Sequence, residues 1–305
     1  MTLNSKKIYT KSLVTGASGF IGVPLVKSLL KKNEEVIVVD KNPPKEKNCR
    51  GYIRDVSEKN SLDDIVDDKT IIYHLAAKAS VPESVVNPID DFNNTCYGIF
   101  QVLETARKKN CKVIFPSTAS IFDPSNKLPV TERSYVKPSS PYGAAKVSGE
   151  AYCYVYNRCY GIDVRVARMF SVYGIGMNRF FIHDVIKKIQ KDKLNLTLLG
   201  DGKQIRDYLY IDDVVKGLQD IANYGLPGED YNLASGQKTN LIDLANKIAT
   251  FMGAPDINIS CSNESFPGDV PMWYGDISKI ENIGFKPKIT LDQGLQKTID
   301  WLNSK

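Results

Sequence analysis

Short apolar runs alternate with helical stretches through the first 170 residues of the chain. The runs are continuous and rich in β-branched residues, which is typical of strands buried on both faces of a parallel sheet. Between them, apolar residues recur at helical spacing. The predicted strands are 12–14, 36–39, 70–73, 113–115 and 164–166, and the predicted helices are 20–32, 89–109 and 142–160. This alternation predicts an α/β fold, a Rossmann-type doubly wound parallel sheet.

Beyond residue 170 the pattern changes to short strands, Gly/Pro turns and a few helices, which predicts a smaller C-terminal α/β lobe. The predicted division is a nucleotide-binding domain at 1–170 and a substrate lobe at 171–305, with 205–240 partly returning to the first domain. Helices are expected near 180–191, 212–221 and 241–252.

Composition narrows the possible functions. The 305 residues carry 40 Lys+Arg against 35 Asp+Glu, a net charge of +5 that suits a small anionic ligand and gives no reason to expect nucleic acid. No apolar leader or membrane-length run is seen, so we expect a cytoplasmic protein without membrane contact. Six cysteines without C-x-x-C pairing and two histidines predict no metal site, no disulfide framework and no Ser-His-Asp triad.

The first predicted strand runs into Thr15-Gly16-Ala17-Ser18-Gly19-Phe20-Ile21-Gly22, and a helix follows. Glycines are needed where the backbone turns with positive φ, where a pyrophosphate approaches the amides and where helix and strand pack closely. The start of the helix supplies free N–H groups and the positive end of its dipole. The segment therefore predicts a dinucleotide site.

Asp40 follows the second predicted strand directly. A carboxylate there accepts hydrogen bonds from a ribose 2′-hydroxyl and repels a 2′-phosphate, so NAD is predicted rather than NADP. Asp55 and Val56, which precede the predicted strand 70–73, are placed to contact the adenine. The cofactor contacts predicted so far are Gly16, Ser18, Gly19, Phe20, Ile21, Gly22, Asp40, Lys41, Asp55 and Val56.

Tyr142 and Lys146 lie four residues apart on a predicted helix that begins after Pro141. At that spacing they share one helix face. An ammonium beside a phenol favours the phenolate, so Tyr142 can act as a general base. The hydroxyl run Ser117-Thr118-Ala119-Ser120 follows the strand 113–115 at the carboxyl edge of the sheet, where doubly wound folds bind ligands.

Together these segments resemble the extended short-chain dehydrogenase/reductase family, in particular its nucleotide-sugar epimerases and dehydratases. The resemblance covers nearly the whole chain. The matching motifs, in family order, are T-G-A-S-G-F-I-G, the acid ending the second strand, H-L-A-A, S-T-A-S, Y-G-A-A-K, R-M-F-S-V-Y-G, R-D-Y-L-Y-I-D-D and P-G-D-V-P.

The resemblance implies a role for each matched position. Tyr142 is the base and acid at a sugar hydroxyl, Lys146 its charge partner and a ribose ligand, and Thr118 the hydroxyl that binds the reacting oxygen. Arg206 resembles an arginine that binds the nucleotide diphosphate. Leu75, Ala76 and Ala77 are implied to run beside the NAD phosphates and ribose, and the implied substrate contacts are Lys78, Ser120, Ser171, Arg206, Asp269 and Trp273.

The residues after Thr118 bear on which reaction is expected. The 4,6-dehydratases carry an Asp-Glu pair there, whereas this chain has Ala119-Ser120. Without those carboxylates, the resemblance favours an NAD-dependent 4-epimerase acting on a nucleotide-activated hexose, with a UDP-sugar as the expected substrate. A 4-ketoreductase needs the same three residues and stays an alternative, as do dehydration by another acid and a non-catalytic NAD-sensing protein.

Several positions depart from the epimerase pattern. Ser171 stands where asparagine is usual, Thr95 stands in place of an asparagine, and 265–269 lacks the usual arginine. Trp273 sits where the family controls the size of the sugar, so its indole is expected to exclude a 2-acetamido group.

The family resemblance also implies a homodimer through two helices, near 94–107 and 142–156. Phe100, Val147, Tyr152 and Val155 suit that interface, although burial within the monomer would explain them equally well.

Overall fold

The computed structural model describes residues 7–32, 34–264 and 267–304. Ser265 and Phe266, which belong to the segment 265–269 that lacks the arginine usual in epimerases, lie outside these ranges. The strands are β1 (Lys11–Thr15), β2 (Glu35–Asp40), β3 (Arg50–Ile53), β4 (Thr70–His74), β5 (Lys112–Thr118), β6 (Val164–Met169), β7 (Ser171–Tyr173), β8 (Asn195–Leu198), β9 (Ile205–Arg206), β10 (Tyr208–Tyr210), β11 (Asp230–Leu233), β12 (Thr239–Asn240) and β13 (Asn258–Cys261). The helices are α1 (Gly22–Leu30), α2 (Val81–Val86), α3 (Pro88–Asp91), α4 (Gly98–Lys109), α5 (Pro141–Tyr160), α6 (Phe181–Lys191), α7 (Ile211–Tyr224), α8 (Leu241–Phe251), α9 (Ser278–Glu281) and α10 (Leu291–Asn303).

Seven strands form one parallel sheet in the order β11-β6-β5-β4-β1-β2-β3. Strand order reverses between β1 and β4, which pair in parallel with Thr15 opposite His74. In doubly wound folds the ligand crevice lies outside the carboxyl ends of the strands at such a point. The predicted Rossmann-type sheet is confirmed, and the glycine segment lies at its switch point.

The chain divides into two compact units that are interleaved along the sequence. The first comprises 1–117, 141–167 and 218–230, and the second 118–140, 168–217 and 231–305. Residues 118–140 contact the second unit. The predicted domain boundary at residue 170 stays a prediction.

The core of the first unit lies between the sheet and the helices that cover it. Leu13, Ile72, Val113 and Phe115 contribute from the strands and are fully buried, together with Ile99 of α4. Such continuous apolar strands are stable only with helices on both faces. This burial fixes the strand ends that carry the predicted cofactor residues.

The second unit is built from three two-stranded pairs and the helices around them. β7 pairs with β10 and β8 with β13 in parallel, while β9 pairs with β12 in antiparallel orientation. Helix α10 begins with a capping box in which Thr290 and Gln293 satisfy each other's backbone N–H groups.

The long helix predicted over 89–109 is wrong in one respect. The structure has α3, then a π-helical turn at Phe92–Tyr97, then α4. A π turn holds one extra residue per turn, and hydrophobic spacing does not reveal so local an insertion. In the part of the chain that the structure describes, no helix is long and apolar enough to cross a membrane.

Candidate active site

The glycine segment makes a tight turn against the end of β4. Gly16 has φ of +66°, and a Cβ placed there would lie 2.7 Å from Ala76 N and 2.8 Å from the Leu75 carbonyl carbon. A Cβ on Gly22 would lie 2.7 Å from the Cα of Ala17. Only glycine fits both positions, so the turn stays close to the end of β4 with no side chain between a ligand and the start of α1.

The carboxylate of Asp40 is joined to this turn. Ser18 N donates to Asp40 Oδ2 at 2.9 Å, and Asn42 N and Nδ2 donate to Oδ1 at 2.9 and 3.2 Å. An ionised carboxylate accepts about four hydrogen bonds, so it has capacity left for a ribose hydroxyl. The donor and acceptor set at this strand end therefore fits the adenosine half of NAD.

Lys41 lies beside Asp40 and forms an ion pair with Asp55. Its Nζ lies 2.7 Å from Asp55 Oδ2 and donates to Asn94 Oδ1 at 2.9 Å. Partial burial works against ionisation of Asp55, but hydrogen bonds from Lys41 and Ser57 outweigh it and lower the pKa of Asp55. Val56, the next residue, is buried in the core of the first unit.

His74 fixes the backbone after β4. Its Nδ1 lies 2.9 Å from Thr15 Oγ1, which also accepts a hydrogen bond from Ala76 N. Burial, with Lys146 adding to it, lowers the pKa of His74 to about 3, so the ring is neutral. A neutral His74 acts here as a support that holds Leu75, Ala76 and Ala77 beside the glycine turn.

Tyr142 stands in the first turn of α5, and its position is set by α2. Its backbone N donates to Ser84 Oγ at 3.1 Å, which occupies one of the N–H groups that a helix start leaves without an intrahelical partner. The Tyr142 side chain is 8% exposed. Helix α5 is therefore tied at its start to a residue 58 positions earlier in the chain.

Lys146 is buried one turn further along α5. Its Nζ donates to Pro116 O at 2.7 Å and lies 4.7 Å from the centre of the Phe115 ring and 5.9 Å from that of Tyr142. Burial lowers the pKa of Lys146 to about 8, and Asp91 opposes that lowering. The structure thus brings together the two residues that the i, i+4 spacing predicted, with the lysine still mainly charged at neutral pH.

Thr118 ends β5, and by its contacts it belongs to the second unit. Its hydroxyl donates to Ser120 Oγ at 3.2 Å and accepts from Ser120 N at 3.2 Å, capping the 3₁₀ turn Ala119–Ile121. Both hydroxyls are therefore held in one local network at the carboxyl end of the strand.

Arg206 is nine-tenths buried and engaged within the second unit. One terminal nitrogen donates to Ile205 O and Pro271 O, and the other lies 2.9 Å from Asp269 Oδ1. The Trp273 ring lies 4.1 Å from the guanidinium carbon. Burial lowers the pKa of Arg206, and Asp269 opposes this. Three of the five guanidinium N–H donors are thus used within the protein, which leaves two for a ligand.

The two other predicted substrate residues are also engaged. Lys78 forms an ion pair with Asp90. Ser171 begins β7, and its backbone N donates to Asp207 O at 2.9 Å. Neither Ser84 nor Asp91 was identified from the sequence. Both are far along the chain from Tyr142 and Lys146, and no motif or helical spacing relates them to those residues.

A protein-family profile described as the NAD dependent epimerase/dehydratase family matches residues 12–234 of this chain. A Methanocaldococcus jannaschii protein provisionally named UDP-glucose 4-epimerase is 33% identical over 96% of this chain and 98% of its own length.

Solved structures of high similarity carry related names. A UDP-glucose 4-epimerase from Thermotoga maritima, solved with UDP-glucose, has a TM-score of 0.90 and 29% identity over 96% of this chain and 99% of its own. A dTDP-glucose 4,6-dehydratase from Streptomyces venezuelae, solved with NAD, has a TM-score of 0.88 and 25% identity over 97% of each chain.

Proposed function

Because this chain belongs to the NAD dependent epimerase/dehydratase family, we propose that it is a nucleotide-sugar 4-epimerase with a transient 4-keto sugar. The observation that carries the proposal is the buried Tyr142–Lys146 pair in a chain that has Ala119-Ser120, and no carboxylate, after Thr118. A base and a charge partner suffice to oxidise one sugar carbon with the cofactor and to reduce it again, whereas elimination of water needs a further acid. Relatives named 4-epimerases support this choice.

NAD fits the residues of the first unit. The glycine turn, Asp40 and the backbone of Leu75–Ala77 would hold it, since a side chain at Gly16 would fill the space and the carboxylate has acceptor capacity left. Bound NAD supplies reversible acceptance of a hydride from a sugar carbon.

The proton steps fall to Tyr142 and Lys146. The phenolate of Tyr142 takes the proton of the sugar hydroxyl as that carbon is oxidised, and the phenol returns a proton when the hydroxyl forms again on the other face. The ammonium of Lys146, fixed on Pro116 O, stabilises the phenolate electrostatically. Thr118 is proposed to hold the reacting oxygen through its hydroxyl.

The second unit is proposed to bind the nucleotide sugar. Arg206 has two N–H donors left for a diphosphate, while Asp269 offsets part of its charge. Ser120, Ser171 and Lys78 remain proposed substrate contacts. Trp273, which packs on Arg206, is proposed to exclude a 2-acetamido group.

A cytoplasmic homodimer is proposed as the working form. The aromatic rings of Tyr97 at the end of the π-helical turn, Phe100 of α4 and Tyr152 of α5 lie in contact, with Tyr97 40% and Tyr152 42% exposed. Clustered exposed rings of this kind mark protein interfaces. A mass of two chains in sedimentation, reduced to one by Tyr152→Glu, is the expected result, and a monomeric parent protein would contradict the dimer.

The reaction is tested with catalytic NAD, no added reductant and a panel of UDP-, GDP-, dTDP- and CDP-hexoses, followed by NMR and by absorbance of the reduced cofactor. An isomeric sugar without net NADH is expected, and Tyr142→Phe abolishes it. Stoichiometric NADH, a dehydrated product, or reaction only with a keto sugar and reduced cofactor would favour the dehydratase or 4-ketoreductase alternative.

A further inference from the structure

Asp91, the last residue of α3, is a buried acid with no role in the chemistry described above. Its side chain is 2% exposed, Oδ1 accepts a hydrogen bond from Thr95 Oγ1 at 3.4 Å, and Oδ2 is buried without a hydrogen-bond partner among residues 7–32, 34–264 and 267–304. A buried carboxylate with an unsatisfied oxygen is costly unless a positive charge compensates it.

Lys146 is the cation that acts most strongly on this carboxylate, ahead of Lys78, which is paired with Asp90. The π-helical turn that follows Asp91 packs against α5, the helix that carries Lys146. Burial raises the pKa of Asp91, and Lys146 is the strongest influence against that rise. In the other direction, burial lowers the pKa of Lys146, and Asp91 is the strongest influence against that fall. Each group stabilises the charged form of the other.

Other ionisable groups near Lys146 contribute less at neutral pH. Cys153 of α5 is a neutral thiol because burial raises its pKa well above the ordinary value. His74 of β4 is neutral for the reason given above. Glu150 of α5 is partly exposed, so water screens its charge. On the side of α3, Asp90 is paired with Lys78. Asp91 is thus the buried charge that faces Lys146 among the described residues.

We propose that Asp91 is the buried counter-ion of Lys146, a positioning residue that keeps the ammonium charged in a site from which water is excluded. Asp91 acts on the reaction through Lys146, because a neutral lysine would no longer stabilise the phenolate of Tyr142. The inference rests on the proposed function only for its effect on turnover, while the pairing of the two charges is testable without any substrate.

The pairing is tested by a cycle of thermal unfolding midpoints at pH 7 for the parent protein, Asp91→Asn, Lys146→Met and the double variant. Asp91→Asn is expected to lower the midpoint of the parent, since it leaves a buried ammonium uncompensated. In the Lys146→Met background it is expected to raise the midpoint, since it removes a buried carboxylate that has lost its partner. Additive shifts would overturn the pairing.

The matched control is Glu150→Gln, which removes a partly exposed acid on the same side of α5. Its shift is expected to differ between the backgrounds with and without Lys146 by much less than that of Asp91→Asn, because water screens the charge of Glu150. If the Asp91→Asn single variant does not fold, the thermal midpoints of Lys146→Met and of the double variant still test the pairing. A double variant whose midpoint is no higher than that of Lys146→Met would contradict the proposal.

The effect on turnover is tested by the pH profile of kcat. The fall of kcat at alkaline pH, the alkaline limb, reports loss of the Lys146 proton. Asp91→Asn is expected to move this fall to lower pH by about one unit or more, and Asp91→Glu is expected to move it less, because it keeps the carboxylate. Glu150→Gln leaves the limb in place. A lower kcat with an unmoved limb would show a merely structural role for Asp91. A parent protein without epimerase activity would overturn the proposed function and leave the unfolding cycle valid.

Discussion

Tyr142 N donates a hydrogen bond to Ser84 Oγ at 3.1 Å, so a serine of α2 holds the first turn of α5. Ser84 Oγ in turn donates to Val81 O at 2.7 Å, which fixes the hydroxyl within its own helix. This relationship supplies the Tyr142 backbone with a partner that α5 itself does not offer.

Ser84→Ala is expected to lower kcat about fivefold and the free energy of unfolding by about 1–2 kcal/mol, because the hydrogen bonds of Ser84 Oγ with Tyr142 N and Val81 O are both lost and Tyr142 is less well placed. Initial rates and urea unfolding measure both. Ser148→Ala is the matched control, since Ser148 Oγ donates along its own helix to Ala144 O and does not hold the start of α5. Equal effects of the two substitutions would contradict a positioning role for Ser84.

Turnover is expected to fall as the pH rises through about 8. The pKa of Lys146 is about 8 because burial lowers it, so the ammonium is present below that pH and is lost above it. A profile of kcat between pH 6 and pH 10 measures the limb. Turnover that stays constant to pH 10 would mean that the charge on Lys146 is not required.

NAD is expected to bind at least tenfold more tightly than NADP, because Asp40 repels a 2′-phosphate. Asp40→Asn keeps the shape of the side chain and an oxygen that can accept the Ser18 N hydrogen bond, but it removes the negative charge. It is therefore expected to lower the ratio of NAD affinity to NADP affinity. Fluorescence titration with NADH and NADPH measures the two affinities. Asp64→Asn, which removes an exposed acid paired with Arg54, is the control. A ratio that Asp40→Asn leaves unchanged would assign the preference elsewhere.

Gly16 and Gly161 form a matched pair for the glycine turn. Both have positive φ, +66° and +69°, but a Cβ meets backbone atoms at Gly16 and nothing within 4 Å at Gly161. Gly161→Ala is expected to lower the free energy of unfolding by about 1 kcal/mol and to leave NAD affinity unchanged. Gly16→Ala is expected to destabilise more and to weaken NAD binding at least tenfold. Urea unfolding and NADH titration measure the two effects. If Gly16→Ala and Gly161→Ala changed stability and NADH affinity equally, the close contact of Gly16 with the backbone of Leu75 and Ala76 would be contradicted.

Trp273→Ala is expected to admit a UDP-sugar with a 2-acetamido group, because removal of the indole opens space beside Arg206. The measurement is kcat/KM for UDP-glucose and UDP-N-acetylglucosamine in both proteins, with Trp301→Ala of α10 as a control for tryptophan loss. Equal turnover of both sugars by the parent protein would refute the exclusion.

The sequence alone predicted the sheet, the glycine turn with Asp40, and the Tyr142–Lys146 pair. Each of these depends on local geometry: strand periodicity, a φ that only glycine adopts easily, or a four-residue helical spacing. Chain order then places the ends of parallel strands at one edge of the sheet, so the residues that follow β1, β2 and β4 could be assigned to one site.

Only the tertiary structure revealed the hydrogen bond from Tyr142 to Ser84, the burial of Asp91 with Lys146, and the engagement of Arg206 by Asp269. The members of each pair are at least 55 residues apart, and their meeting depends on how whole helices and loops pack. The π-helical turn after Asp91 belongs with them, because one added residue changes the helix face beyond it without altering the apolar pattern that predicts a helix.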